Sequence, residues 1–325
     1  MGHLQVLHVA MPTGRTPLYA GCRSGRVQVV RCLMEEYHVP HEPLVSENEC
    51  VQGVTPLSAA CQRDHVDVVK YLMEVQHVAH EAHGSGRFAG RTPLYSSCLA
   101  GSSGVVRYLM EEQQVKHEAL SFGEGAGFIP LLAACTAGCA IVVRYLMEEQ
   151  NVKHEAVRIG QMRGWTPLFA ACSQGHGDIV RYLMEEQNVV HEPLQSGSEA
   201  GVPAGVTPLC VACCHDQVAI VRYLIDVQGV KHEPIQCGPM AGTTPLQWAC
   251  EGSHLETVKY LIEGPLRSVA ALENACPPTA HIQLHVAEFL DSLHALNQKD
   301  ELLACVLYEC DLLPHCIEAC FGWCE

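Results

Sequence analysis

Apolar and polar positions repeat along this chain with a period of about 37 residues. Each period opens with a proline, a leucine and small residues, and continues with apolar residues at i, i+3 and i+4, as in Ile179, Val180 and Leu183. This spacing predicts a short, tightly packed first helix and an amphipathic second helix in every unit. Seven prolines open the units, separated by 39, 37, 37, 37, 41 and 37 residues: Pro17, Pro56, Pro93, Pro130, Pro167, Pro208 and Pro245.

The residues before each proline predict how the first helix begins. A glycine stands three residues before every one of these prolines, which suits a turn with positive φ. Threonine directly precedes the proline in six units and is expected to cap the helix, with proline at the first helical position. Ile129 replaces this threonine in the fourth unit, so the first helix of that unit should lack a side-chain cap, which contributes about 1 kcal/mol to stability.

The exposed side of the second helix carries a basic residue four positions before an acidic one. Residues four apart on a helix face each other, so the pattern predicts stabilising ion pairs within each helix. A tyrosine column runs from Tyr71 to Tyr260, with Cys32 in its place in the first unit. The basic column consists of Arg31, Lys70, Arg107, Arg144, Arg181, Arg222 and Lys259.

Gly-x-Thr-Pro-Leu, two small residues and a Val-Val…Leu-Leu helix together resemble the ankyrin repeat, over roughly residues 14–264. The resemblance implies an all-α repeat fold: an ankyrin-type α-solenoid of helix-turn-helix units joined by extended hairpin loops. The hairpins and short first helices would line its concave side, and contacts between neighbours would supply its stability. The family unit has about 33 residues, so the extra length is placed at the end of the second helix, by one residue, and in the hairpin.

Loss of the period near Pro265 divides the chain into three parts. Residues 1–13 are a lead-in, 14–266 hold seven repeats, and 267–325 form a Cys-rich helical cap over the apolar face that the last repeat exposes. The lead-in is too short for a polar capping repeat. Either the first repeat is exposed, or the chain begins inside a longer array.

A cysteine stands five residues after every repeat proline. Equivalent residues on stacked helices should lie about 9 Å apart, too far for disulfides between neighbours. The main interpretation is a column of small buried side chains; the alternative is a redox ladder. The column consists of Cys22, Cys61, Cys98, Cys135, Cys172, Cys213 and Cys250.

A His-Glu pair stands 24 residues after each of the first six prolines. The same spacing prevents neighbouring pairs from sharing a metal ion. Two interpretations stay open: a structural ladder in which each imidazole bonds to loop backbone, and pH sensing, since histidine titrates near pH 6.5. The histidines are His41, His80, His117, His154, His191 and His232.

Cysteines are also frequent near the C-terminus. Cys316, Cys320 and Cys324 fall on one face of a predicted helix and could form a thiolate metal site, although the usual zinc-finger spacing is absent. The simpler interpretation makes them small hydrophobic residues of the cap.

Composition and charge exclude several classes. The 325 residues are 48% hydrophobic, enough for a folded chain, and the net charge of −16 opposes nucleic-acid and anionic-membrane binding. The same charge favours a partner protein with a basic segment. No apolar stretch reaches the roughly 20 residues of a membrane helix. An odd count of 19 cysteines and no leader-like start favour a reducing, cytoplasmic location.

No catalytic motif or cofactor-binding motif is found, so neither an enzyme nor a cofactor is predicted. The leading hypothesis is a non-catalytic scaffold or adaptor that binds another protein along the concave face. The competing hypothesis is a metal- or redox-responsive regulator that uses the C-terminal cysteines, with the repeats as a docking arm.

Partner-binding residues are expected where the repeats differ, at the hairpin tips and the exposed edge of the first helix. Phe128 and Trp165, flanked by arginines, have the composition of a binding hot spot. Packing against the neighbouring hairpin is the alternative for Trp165. The predicted residues are Arg91, Phe128, Arg163, Trp165, Arg15, Arg23 and Leu99.

Overall fold

Each repeat proline begins a helix in the computed structural model, which describes residues 15–45, 52–86, 88–123, 126–159, 163–195, 203–231, 233–236, 238 and 240–262. All regular structure in these ranges is helical. We call the first helix of each repeat its inner helix and the second its outer helix. The inner helices are Pro17–Arg23, Pro56–Cys61, Pro93–Ala100, Pro130–Ala137, Pro167–Gln174, Pro208–Cys214 and Pro245–Glu251. The α-helical parts of the outer helices in repeats 1 to 6 are Val27–Arg31, Val66–Lys70, Ser103–Arg107, Ala140–Arg144, Gly177–Arg181 and Val218–Arg222. The outer helix of repeat 7 is described over residues 255–262.

The predicted threonine caps are present. Thr166 Oγ1, for example, accepts a hydrogen bond from the backbone N–H of Phe169 at 3.2 Å, and the other five threonines bond in the same way. Ile129 gives no side-chain cap to the inner helix of repeat 4. These caps satisfy N–H groups that the first turn of a helix leaves unpaired.

The outer helices of repeats 1 to 6 each end in a π-helical turn. Gln113 N donates to Tyr108 O five residues earlier at 3.1 Å, and Gln114 then takes a left-handed conformation with φ 53°. A π turn holds one more residue than an α turn of the same height. These π turns lie at the end of the outer helices, where the extra residue is predicted. These turns cover Cys32–Glu36, Tyr71–Val75, Tyr108–Glu112, Tyr145–Glu149, Tyr182–Glu186 and Tyr223–Val227.

Two backbone hydrogen bonds close the base of each hairpin. In the hairpin before repeat 4, Leu120 N donates to Phe128 O at 2.8 Å, and Gly127 N donates to Leu120 O at 2.7 Å. Gly127 has φ 86°, and a Cβ there would lie 2.0 Å from Ile159 O of the next hairpin. Glycine is thus required both by the turn and by the close stacking of successive hairpins.

This pairing corrects one expectation about the hairpins. In the six described hairpins, the residue two positions before the proline, Phe128 among them, lies at the hairpin base and not at the tip. None of these six residues is fully exposed: Val54 and Val206 are buried, and Phe128 is half-buried.

Stacking is closer on the inner side of the molecule. The backbones of neighbouring inner helices approach each other closely, whereas those of neighbouring outer helices lie farther apart. Buried small residues such as Ala134 and Ala171 allow this approach. The described part of the chain has one large core that runs through all seven repeats and a small separate cluster of Tyr19, Leu44, Val54 and Ala59. None of the described helices is both long and apolar enough for a membrane span.

A ladder of cations, tyrosines and carboxylates joins the outer helices. The Arg107 guanidinium lies 4.6 Å from the ring centroid of Tyr145 in the next repeat, and Arg107 Nη1 lies 3.1 Å from Glu149 Oε2. Tyr145 in turn donates its hydroxyl hydrogen to Glu111 of the previous repeat at 3.0 Å.

This ladder corrects the prediction of ion pairs within each outer helix. The Arg107–Glu111 pair exists, but at 3.7 Å it is longer than the Arg107–Glu149 pair. Lys70 behaves similarly, at 2.8 Å from Glu112 of the next repeat. Because stacking brings the next outer helix alongside, the planar guanidinium can contact a ring and a carboxylate together.

Candidate protein-binding surface

The histidine column fixes where the hairpins meet the inner helices. His154 Nε2 accepts a hydrogen bond from Leu168 N at 3.0 Å, one residue after the repeat proline. The same bond forms in four other repeats, at 2.9–3.0 Å. The structural interpretation of the ladder is thus favoured, with the inner-helix N-terminus as the bonding partner. His232 lies outside the described residues. The five bonded histidines are His41, His80, His117, His154 and His191.

Burial sets the charge of these histidines. Desolvation lowers the pKa of His154 from 6.5 to about 4, and the other four bonded histidines shift equally for the same reason. The imidazoles are therefore neutral at pH 7 and can act as acceptors. In contrast, the adjoining glutamates, such as Glu118 and Glu192, are exposed along the hairpins.

The cysteine column is buried, as the main interpretation expected. Its members have 0–2% exposure, and burial raises the pKa of Cys22 and Cys61 to about 12. Such thiols stay protonated and are poor nucleophiles or metal ligands. Within the described residues, no cluster of histidine, cysteine and acidic groups could hold a metal ion. Cys316, Cys320 and Cys324 lie outside those residues.

Arg91 and Phe128 join a cluster of rings at the base of the hairpins. The Arg91 guanidinium lies 4.5 Å from the ring centroid of Phe88 and 5.7 Å from that of Tyr95. The Tyr95 and Phe128 centroids are 6.3 Å apart. Arg91, Phe88 and Phe128 are half-buried. We call these four residues the Arg91 cluster.

Trp165 has a different environment from the one predicted for a hot spot. Its side chain is only 7% exposed, and its ring meets Phe169 edge-on at 4.9 Å between centroids. The burial of this ring favours the packing alternative. Phe128 and Trp165 thus do not form an exposed aromatic pair.

The remaining predicted residues are spread along the surface. Arg15 and Arg163 are exposed, while Arg23 and Leu99 are half-buried. Arg163 borders a shallow, open depression that is also lined by Glu155 and Arg158.

Sequence reasoning missed the exposed apolar residues at the hairpin tips. Phe122 is 44% exposed and Ile159 is 54% exposed. The carbonyl oxygen of Phe122 lies against Gly90, and that of Ile159 lies against Gly127, so each of these hairpins stacks on the base of the preceding one. A large apolar residue next to a glycine in each of these two hairpins was the available signal.

His83 was also missed. It occupies the buried hairpin position that is Leu44, Leu120 or Val157 in other repeats, and it is 1% exposed. Neither ring nitrogen has a hydrogen-bond partner among the described residues. Burial, followed by the nearby Arg91 charge, lowers the pKa of His83 to about 4. A polar residue in an otherwise apolar column was the available signal.

Comparison with known proteins agrees with this architecture. The family model for ankyrin repeats (3 copies) matches residues 3–82, 39–119, 116–192 and 186–268. The crystal structure of the human ASB11 ankyrin repeat domain is similar at 25% identity, with a TM-score of 0.53. That match covers 76% of this chain and 97% of the human domain. No curated protein matches the chain significantly.

Proposed function

The chain belongs to the ankyrin-repeat family, whose repeats are generally protein-protein interaction modules, and from that premise we propose that it is a non-catalytic scaffold. Its partner is another protein, bound across the hairpins that lead into repeats 3, 4 and 5. The observation that carries this proposal is the exposure of Phe122 and Ile159 on neighbouring hairpins, beside Arg91 and Arg163.

The composition of this surface supports the proposal. Aromatic residues and arginine are enriched at the centres of protein interfaces, where they bury large areas and donate several hydrogen bonds. Stacking on Phe88 and Tyr95 also holds the Arg91 side chain in place, so less side-chain entropy is lost on binding. Of the predicted residues, the proposed surface takes in Arg91, Phe128 and Arg163, and Arg15, Arg23 and Leu99 stay predictions outside it.

Charge supports a basic segment in the partner. The glutamates that follow the histidines are exposed along the whole row of hairpins, and the chain carries a net charge of −16. A row of carboxylates accelerates the approach of a cationic partner, and salt weakens that effect. Two of these glutamates already have cations nearby, Glu155 with Arg158 and Glu233 with Lys231. The exposed glutamates are Glu42, Glu81, Glu118, Glu155, Glu192 and Glu233.

Buried and paired groups support the absence of catalysis. The repeated histidines are occupied at helix N-termini, and the repeated thiols are buried and protonated. A general base or nucleophile has to reach its substrate, and neither column is placed for that.

The test is affinity capture from a native lysate, quantified by mass spectrometry. The bait is the intact chain, either unchanged or as the Phe122→Ser/Ile159→Ser variant. The matched control is Ile141→Ser, because Ile141 is 72% exposed on an outer helix. We expect the tip variant to capture at least ten-fold less of a partner protein that the unchanged chain and Ile141→Ser capture in equal amounts. Equal capture by all three baits would place the binding surface elsewhere.

A further inference from the structure

The outer ladder contains three complete cross-repeat ion pairs in a row. Lys70 contacts Glu112 at 2.8 Å, Arg107 contacts Glu149 at 3.1 Å, and Arg144 contacts Glu186 at 2.9 Å. Each cation also lies over a tyrosine ring of the next repeat. We call such a unit of cation, tyrosine and glutamate a closed rung.

On either side of this block the glutamate is missing. Val75 and Val227 occupy the position of Glu112, Glu149 and Glu186 in their repeats, and they are 51% and 65% exposed. Arg31 and Arg181 face these valines from the preceding repeats. We call Arg31 with Val75, and Arg181 with Val227, the two open rungs.

The cations of the open rungs keep the geometry of the closed ones. The Arg31 guanidinium lies 5.1 Å from the Tyr71 ring centroid, and that of Arg181 lies 5.5 Å from the Tyr223 centroid. Among the described residues, no carboxylate oxygen lies within 4.0 Å of a nitrogen of either guanidinium, so neither arginine forms an ion pair. Stacking on the ring therefore orients a fork of N–H donors that has no acceptor.

The first open rung also has room for a ligand. A shallow depression in the outer surface is lined by apolar, cationic and acidic side chains: Val27, Gln28, Arg31, Asp67, Lys70, Tyr71, Glu74 and Val75. Lys70 is paired with Glu112, and Glu74 accepts a hydrogen bond from Tyr108. Arg31 is therefore the cation of this depression that has no carboxylate partner among the described residues, and Asp67 is the acid that an entering carboxylate has to avoid. A carboxylate entering it would meet the guanidinium in the way that Glu149 meets Arg107.

We propose that the open rungs are a second docking surface, which binds an acidic, apolar segment of a partner protein. An aspartate or glutamate of the partner takes the place of the missing glutamate and accepts two hydrogen bonds from the arginine. An adjacent aliphatic side chain of the partner covers the exposed valine. Charge complementarity carries this choice of occupant, because the closed rungs show which group the stacked cation binds.

The spacing of the two open rungs favours a protein segment over a small anion. They are four repeats apart, roughly 36 Å at about 9 Å per stacked helix. A single extended partner could contact both, which raises the effective concentration at the second site. This surface lies on the outer helices and not on the hairpins, so its test is independent of the proposed hairpin surface.

A substitution within the chain tests the receptor geometry. Val75→Glu supplies the missing carboxylate. In a chain that keeps Arg31, the new ion pair should raise the urea concentration at the midpoint of unfolding. The increase should disappear in Arg31→Gln and in 0.5 M NaCl, while Val75→Gln should give no increase. An equal midpoint for Val75→Glu and Val75→Gln would show that Arg31 is not poised for a carboxylate, and would overturn the proposal.

Binding is tested with a phage-displayed library of random 16-residue peptides, selected on the immobilised full chain. We expect enriched peptides that carry Asp or Glu next to Leu, Ile or Val. Their affinity should fall at least ten-fold with Arg31→Gln and with Val75→Glu, and stay unchanged with Arg107→Gln, which alters a closed rung. Failure to enrich such peptides, or affinity insensitive to the two open-rung variants, would contradict the proposal.

Two other occupants give distinct results. If a second copy fills the site, sedimentation will show a dimer that Val75→Glu dissociates. If residues 263–325 of the same chain fill it, Val75→Glu will increase hydrogen exchange within that segment. Either result would reject a separate partner.

Discussion

The Nε2 atom of His154 accepts a hydrogen bond from the backbone nitrogen of Leu168 at 3.0 Å. The histidine ends one repeat, and the leucine begins the inner helix of the next. Thr166 Oγ1 accepts a hydrogen bond from the N–H of the next residue, Phe169. Two side chains from different parts of the chain therefore bind the free N–H groups of one helix N-terminus. Five repeat junctions share this histidine bond, so proton binding at the histidines is linked to stability.

Acid should weaken the fold in a defined pH window. The bonded histidines have pKa values lowered from 6.5 to about 4, so the unfolded chain binds protons more readily as the pH falls. This contribution to stability is fully present above about pH 6.5 and is lost progressively toward pH 4. We expect a constant melting temperature from pH 7 to 8 and a steady decrease below pH 6.5, measured by circular dichroism.

A variant separates the histidines from acidic groups that titrate at lower pH. His154→Gln should reduce the slope of melting temperature against pH between 6.5 and 5, because one coupled proton is removed. An identical slope in this variant would mean that His154 does not contribute to the acid sensitivity.

The inner helix of repeat 4 should be the easiest to stabilise. Ile129 offers no side-chain acceptor there, and His117 is the side chain that bonds Leu131 N. Ile129→Thr should let Oγ1 accept from the N–H of Leu132 and raise the free energy of unfolding by about 1 kcal/mol. Urea unfolding measures this gain, and Ile129→Val is the control that keeps the β-branched shape without the hydroxyl. A gain shared by both variants would rule out capping as its cause.

His83 should be a destabilising residue. It is buried with two unpartnered ring nitrogens, whereas hairpins such as the one containing Leu120 have an aliphatic residue at that position. His83→Leu should raise the free energy of unfolding by about 1–3 kcal/mol, because an unsatisfied buried polar group is removed. It should also reduce acid sensitivity, since the pKa of His83 is lowered to about 4. A less stable His83→Leu protein would contradict this prediction and show that the imidazole stabilises the fold.

The outer ladder should respond to salt. Arg107 and Glu149 are about half exposed, so ions screen their attraction. In a double-mutant cycle with Arg107→Gln and Glu149→Gln, we expect a favourable coupling in 50 mM NaCl that is much smaller in 1 M NaCl. The same cycle on Arg107 and Glu111, which are 3.7 Å apart in one helix, should give the weaker coupling. The reverse order would contradict the cross-repeat assignment.

The local architecture could be predicted because it depends on neighbours in the chain. Thr166 and Pro167 encode a helix start through their own side chains, and the period of apolar residues encodes the helix pair. Seven copies of the pattern made the ankyrin-type stack recognisable. The buried cysteine column followed from the same periodicity.

The binding surface was less predictable, since it depends on where stacked hairpins turn their side chains. Trp165 was placed on the surface with Phe128, yet its ring packs on Phe169. Phe122 and Ile159 received no role, although both are exposed apolar residues of neighbouring hairpins. Variation between repeats identifies a hairpin, but it does not tell which of its side chains faces solvent.

Sequence alone therefore determined the repeat, the helix starts and the small residues that permit close packing, because these depend on contacts within a few residues. Tertiary structure decided which partner each polar side chain takes. Arg107 has an acid four residues away, but stacking places Glu149 of the next repeat closer to it. His154 likewise bonds a helix that begins 13 residues later. Such choices depend on distances between repeats, which a linear pattern does not contain.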